Sequence, residues 1–200
     1  MNLVITGRCK LTGSSVDECM DRLHGRIKPM RLLHTLERLV IAAIGGALDD
    51  AGIPLPVGTS AIGLYLGIDR AIEDIKDKYF LNILHEGMLG ASPMLFPYTS
   101  PNALAAQASI AFDMRGESIT MPINNSYMDV IRYSTFCVAG GYTEMAVAGG
   151  ITMNCEALSL HEGRYRAEFF FIRGMRSVAE RGAKIYHHIK AGRDEEYRFD

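Results

Sequence analysis

Cysteine is sparse in this sequence, and none of the four residues (Cys9, Cys19, Cys137, Cys155) belongs to a CxxC pair. Thiols scattered in this way argue against a disulfide scaffold and fit a reducing compartment, the cytoplasm by default. The cysteine and histidine spacings also make no zinc site. Long apolar runs are missing: the opening Leu3-Val4-Ile5 soon meets Arg8 and Lys10, and no later stretch reaches the length of a membrane span. A signal peptide and a spanning helix both need more. An excess of charge of either sign is missing too, with 21 lysines and arginines against 23 acids. That balance gives neither the basic field that nucleic acid requires nor a cationic face for an anionic membrane. Gly58, Gly63 and Gly67 do not make a dinucleotide fingerprint, and there is no Gly-Lys-Ser/Thr phosphate loop. No cofactor and no metal is expected.

What remains is a chain of 200 residues, 48% hydrophobic, long enough to bury a core as one domain. Residues 2–7 read as a strand, and a polar stretch follows to about residue 28, where Gly13-Ser14-Ser15 is a turn or a helix cap. Residues 32–51 repeat apolar side chains at helical spacing and stop at Gly52 and Pro54. Residues 61–67 form the short apolar run of a buried parallel strand, and the charged residues 69–78 look helical. Three prolines hold 89–102 as a loop. Then come a helix over 103–112, a strand over 118–121, a helix over 127–139 ending at Gly140-Gly141, and a strand over 144–148 closed by Gly149-Gly150. Alternation of this kind predicts a layered α/β domain, a sheet flanked by helices. Beyond Asn154 the composition turns to arginine, glutamate and aromatics, and residues 155–200 read as a divergent helical C-terminal extension of the same domain, with a helix over 177–190.

Several short motifs stand in a telling order: Ser92-Pro93, Phe96-Pro97, Ser100-Pro101-Asn102-Ala103, Gln107, Ser109-Ile110, Gly116, Ser118-Ile119-Thr120, and Ala146-Val147-Ala148-Gly149-Gly150. With the early helix ending Asp50-Ala51-Gly52-Ile53, they cover roughly residues 30–154. Together they resemble the N-terminal region of the β-ketoacyl synthases, condensing enzymes of the thiolase-like α/β fold. The resemblance implies a half-domain of that fold. It also implies a cysteine at the elbow between strand and helix, where helix partial charge and backbone amides favour a thiolate and the oxyanion of a thioester.

Counting along the family's pattern from Gly116 puts that cysteine at Asn125, or at Asn124 after a slip of one residue. An amide cannot attack a thioester. Ser126 is the neighbouring hydroxyl; it reads as a helix cap, and with a base beside it would be an alternative nucleophile. Cys137 is twelve positions beyond Asn125, roughly 18 Å along a helix, and reads as core. The family's catalytic histidines lie in a second half that has no counterpart here; His187-His188 read as surface residues on a helix. Arg164, Arg166, Arg173 and Arg176 read as a solvated face that would also suit an acyl carrier protein.

The altered elbow of Asn124, Asn125 and Ser126 thus points to a non-condensing accessory subunit of fatty-acid or polyketide assembly, similar to a chain-length factor. Its expected partners are a second copy of itself or a full-length ketosynthase, with an acyl carrier protein as a further partner. A residual decarboxylase or thioester hydrolase using Ser126, and a scaffold that kept the fold alone, are the alternatives.

Overall fold

The computed structural model describes residues 2–30, 33–124, 126–153, 164–175 and 184–190. Its strands are β1 (Asn2–Thr12), β2 (Ile62–Ile68), β3 (Ser118–Pro122), β4 (Met145–Met153), β5 (Tyr165–Gly174) and β6 (His187–Lys190). Its α-helices are α1 (Val16–Leu23), α2 (Thr35–Asp50), α3 (Glu73–Glu86), α4 (Asn102–Phe112) and α5 (Met128–Ala139).

The strands form one mixed sheet in the order β3-β2-β4-β5-β1-β6. β2 pairs parallel with both β3 and β4, the arrangement that helical crossovers impose. β5, β1 and β6 add on antiparallel. Helices cover both faces. α1, α2 and α4 close one core with Leu64, Leu66, Phe169 and Phe171 of the sheet, and α5 closes the other with Leu3, Ile5, Tyr65, Phe170 and Ile172.

α2 is the most enclosed helix because its sequence is apolar all round, from Leu36 and Leu39 to Ala47 and Leu48. Its first turn is capped reciprocally: Leu36 N–H donates to His34 Nδ1 at 3.3 Å, and His34 N–H donates to Glu37 at 2.8 Å. Burial, reinforced by the Lys78 charge, pushes the imidazole down and keeps its nitrogen able to accept. At the other end Gly52 takes a left-handed φ of 69° and Ile53 N–H returns to Leu48 O. β1 approaches so closely that a β-carbon on Gly7 would meet the Ala47 carbonyl and Ala51.

The elements expected between residues 32 and 153 are all present, α3 and β4 running further than expected. Two expectations fail. The polar stretch after β1 contains α1, whose Val16, Cys19 and Leu23 turn inward while its charges face solvent; three apolar residues are too few to announce a helix by periodicity. Residues 155–200 are not a helical extension where they are described, since β5 and β6 are strands of the central sheet. The expected helix over 177–190 ends instead in β6 at His187–Lys190, and residues 177–183 lie outside the described residues. Phe169-Phe170-Phe171-Ile172 is a continuous apolar run because β5 is covered on both faces. Cys155 and Arg176 also lie outside the described residues.

α4 ends at Asp113, which takes a left-handed φ of 53° and receives Lys28 at 2.7 Å and Arg115 at 2.9 Å. These hydrogen bonds, Arg115 foremost, hold its carboxyl at about 2, below the ordinary 3.8. A depressed folded value means that the stabilising charge is fully present above 3.8 and is lost as pH falls through about 2. Asp113→Asn, which tolerates the same backbone, is expected to flatten the acid limb of stability between about pH 4 and 2, read as thermal midpoint against pH.

Candidate functional site

The parallel strands β2 and β3 end side by side, and the chain leaves β3 through a tight elbow into α5. Ile123 N–H donates to Ile68 O at 3.0 Å, extending the ladder by one bond beyond Pro122. Asn124 is exposed, and Asn125 lies outside the described residues. Ser126 is exposed and its Oγ accepts from Met128 N–H at 3.3 Å, a bond that satisfies one free amide of the first turn of α5. Tyr127 O accepts from Ile131 N–H and starts the helical ladder.

Two glycines let the elbow sit where it does. Gly67 of β2 and Gly150 of β4 face each other in register. A β-carbon on Gly67 would lie 2.7 Å from Ile123 and 2.8 Å from Val130. One on Gly150 would lie 3.0 Å from Ile123 and 3.2 Å from Tyr127. Side chains at either place would lift the elbow off the sheet. Gly149 serves the adjoining pair, because a β-carbon there would strike the backbone of Glu168 and Phe169.

Behind this floor a buried carboxylate ties three elements together. Glu168 of β5 is 3% exposed. Arg8 of β1 donates to its Oε1 through Nε at 3.0 Å and Nη2 at 2.8 Å, and Tyr127 donates its hydroxyl to Oε2 at 2.8 Å. Phe170 packs beside both partners, 5.6 Å from the Tyr127 ring and 5.6 Å from the Arg8 guanidinium carbon. Burial, with the Glu168 bond second, pushes the phenol of Tyr127 well up, so it remains a neutral donor. The sequence reading missed this network. A glutamate inside the apolar run of residues 167–172 was the available signal, since a carboxylate there must find partners.

A cavity of about 500 Å³ opens beside the elbow. Its wall comes from Ile68 and Asp69 after β2, Ile72, Glu73 and Lys76 at the start of α3, Ser100–Asn102 before α4, and Thr120–Pro122 of β3. The carboxyl ends of parallel strands are where open α/β sheets place ligands. Part of the proline-rich loop is therefore a wall of the cavity, and Pro122, two residues before Asn124, is part of its lining.

The remaining candidates do not join this site. Cys137 is buried on α5 in the core it was expected to occupy. His187 and His188 stand on β6, at the opposite edge of the sheet from β3, and as strand neighbours they point to opposite faces. Of the described arginines Arg166 is exposed and Arg164 pairs with Asp74 at 2.7 Å, while Arg173 is 3% exposed and so lies off the expected solvated face. Among the described residues no cluster of histidine, cysteine, aspartate or glutamate could hold a metal ion.

Removing one bond from Glu168 should cost less than removing its cation. Tyr127→Phe is expected to lower unfolding free energy by about 1.5–3 kcal/mol. Arg8→Ala, which strips the charge partner from a buried carboxylate, is expected to lower it by more. Urea denaturation of the two variants beside the parent chain measures both.

The geometry has counterparts. Residues 5–166 match the family model for the β-ketoacyl synthase N-terminal domain, while the sequence matches none of the curated proteins. Among solved structures, the ishigamide ketosynthase/chain length factor superposes with a TM-score of 0.75 at 15% identity, over 94% of this chain and 62% of that one. A β-ketoacyl synthase from Burkholderia phymatum STM815 superposes with a TM-score of 0.67 at 15% identity, over 94% and 62%. The ketosynthase of a type II polyketide synthase, in complex with its acyl carrier protein, superposes with a TM-score of 0.65 at 17% identity, over 94% and 66%. This chain therefore spans less than two thirds of each of these neighbours. With the strand–elbow–helix unit, the paired glycines and the thiolase-like mixed sheet all in place, the chain belongs to the β-ketoacyl synthase N-terminal domain family.

Proposed function

We propose that this chain is a non-condensing, chain-length-factor-like member of its family that works beside an active ketosynthase in fatty-acid or polyketide assembly. One observation carries the reading. The elbow between β3 and α5 is set on the Gly67–Gly150 floor, and the sequence there reads Asn124-Asn125-Ser126 where the resemblance calls for a cysteine. A frame maintained without its nucleophile is suited to shaping a partner's site rather than to carrying an acyl group itself. The adjacent cavity of about 500 Å³ has the size for a short acyl segment.

Hydrolysis or decarboxylation through Ser126 is supported less well. A serine nucleophile must pass its proton to a base, and the contact of Ser126 Oγ in this structure is with a donor, the Met128 N–H. A scaffold role would leave the cavity without a use.

Association is part of the proposal. On the outer face of α5 and just after it, Phe136 and Tyr142 stack 6.1 Å apart while 62% and 66% exposed. Near the end of α3 Leu84, Met88 and Leu89 are 79%, 80% and 98% exposed. Among the described residues β3 is the edge strand of the sheet. Apolar surface of this kind calls for a covering chain, either a second copy or a full-length ketosynthase, with an acyl carrier protein as the further partner. No described helix is long and apolar enough to cross a membrane, and the proposed setting is the cytoplasm. Native mass spectrometry at micromolar concentration, alone and with a ketosynthase from the same organism, is expected to give a homodimer or a one-to-one complex. A monomer that ignores that ketosynthase overturns the accessory reading.

A further inference from the structure

Away from the elbow, the cavity wall at residues 100–102 is tied to the helix layer through one imidazole. These residues directly follow the 3-10 turn Phe96–Thr99. Two ring contacts hold that turn. Phe96 meets Tyr79 of α3 with centroids 5.9 Å apart, yet is itself 62% exposed. Tyr98 is the inward ring: it packs against the larger core and meets the His34 ring at 5.3 Å. His34 is therefore shared between the start of α2 and the loop that walls the cavity.

The same ring has one nitrogen committed to α2. Nδ1 accepts the Leu36 N–H at 3.3 Å, and Glu37 accepts the His34 N–H at 2.8 Å. A proton on Nδ1 would turn the acceptor into a donor facing another donor, so the ring cannot be charged and keep the cap. Its surroundings favour the neutral form. Burial disfavours the imidazolium first and Lys78 of α3 second. The Tyr98 phenol, raised by burial and then by Glu37, stays neutral. Glu37 is the neighbouring carboxylate, 1% exposed, with Oε1 buried and without a hydrogen-bond partner among the described residues.

We propose that His34 is a pH-sensitive latch on the cavity wall. Neutral, it caps α2 and seats Tyr98, so that residues 100–102 stand in place; protonated, it gives up the cap and releases the turn. The folded imidazole lies below its ordinary 6.5, so the latched form is complete above that pH and is lost as pH falls below it. Glu37 works in the opposite sense: burial raises its carboxyl above the ordinary 4.5, so its protonation favours the folded form. The latch concerns the shape of the cavity and stands or falls apart from the accessory role proposed above.

Hydrogen exchange of the full chain at about pH 7.5 and about pH 5, corrected for intrinsic rates and read by mass spectrometry over residues 34–39 and 96–103, tests it. Both segments are expected to lose protection together, about tenfold, at the lower pH. Glu37→Gln, which keeps an acceptor for the His34 N–H, is expected to retain the response. His34→Asn, whose amide caps without titrating in this range, is expected to abolish it over residues 34–39. Tyr98→Leu is expected to keep the response over residues 34–39 and remove it from 96–103. The proposal is overturned if either segment of the parent chain is equally protected at both pH values, or if His34→Asn responds as the parent does. Loss of protection to the same degree across the other peptides would mean general acid unfolding and overturns it as well.

Discussion

The Glu168 carboxylate, buried between Arg8 and Tyr127, is the constraint on which the placement of the site depends. It joins β1, β5 and the residue that opens α5, three pieces far apart in sequence. A buried carboxylate without partners would oppose folding by several kcal/mol. The arrangement that satisfies Glu168 also fixes where the helix begins. The elbow is therefore held from behind by a charge and from beneath by Gly67 and Gly150, which admit Ile123 and Tyr127 to the sheet surface. Position is supplied twice, by electrostatics and by the absence of side chains.

The fold is shared with structural neighbours at 15–17% identity, and in this chain it is held by this double support. Close approach demands glycine at Gly7, Gly67, Gly149 and Gly150 whatever chemistry the elbow performs. The residues at the elbow itself carry no such load, since Asn124 and Ser126 are exposed. Chemistry can change at the tip of a strand–turn–helix unit while the layers beneath it stay fixed.

The parallel half of the fold was legible in the sequence because its elements are buried on known periods: residues 32–51 at helical spacing, residues 61–67 as a continuous apolar run, and glycines or prolines at most boundaries. The antiparallel half was not. Residues 165–174 are apolar with interspersed charge, and a strand covered on both faces cannot be told from a buried helix by pattern alone. β6 is four residues long and is a strand because β1 offers it an edge, a tertiary cause that no local propensity records. Within the site, the strand and helix that bracket the elbow, β3 and α5, were legible as elements. Their supports were not, since the partnership of Arg8 with Glu168 spans 160 positions. Reading Gly67 as a failed dinucleotide motif missed its packing role for the same reason.

The proposed role rests on the elbow, where the family's frame would stand without a covalent carrier. Intact-protein mass spectrometry after incubation with acyl thioesters of an acyl carrier protein and of coenzyme A tests that claim most directly. An unchanged mass is expected for the parent chain. A mass increased by one acyl group, and lost again in Ser126→Ala, would show a working nucleophile at the elbow and contradict it.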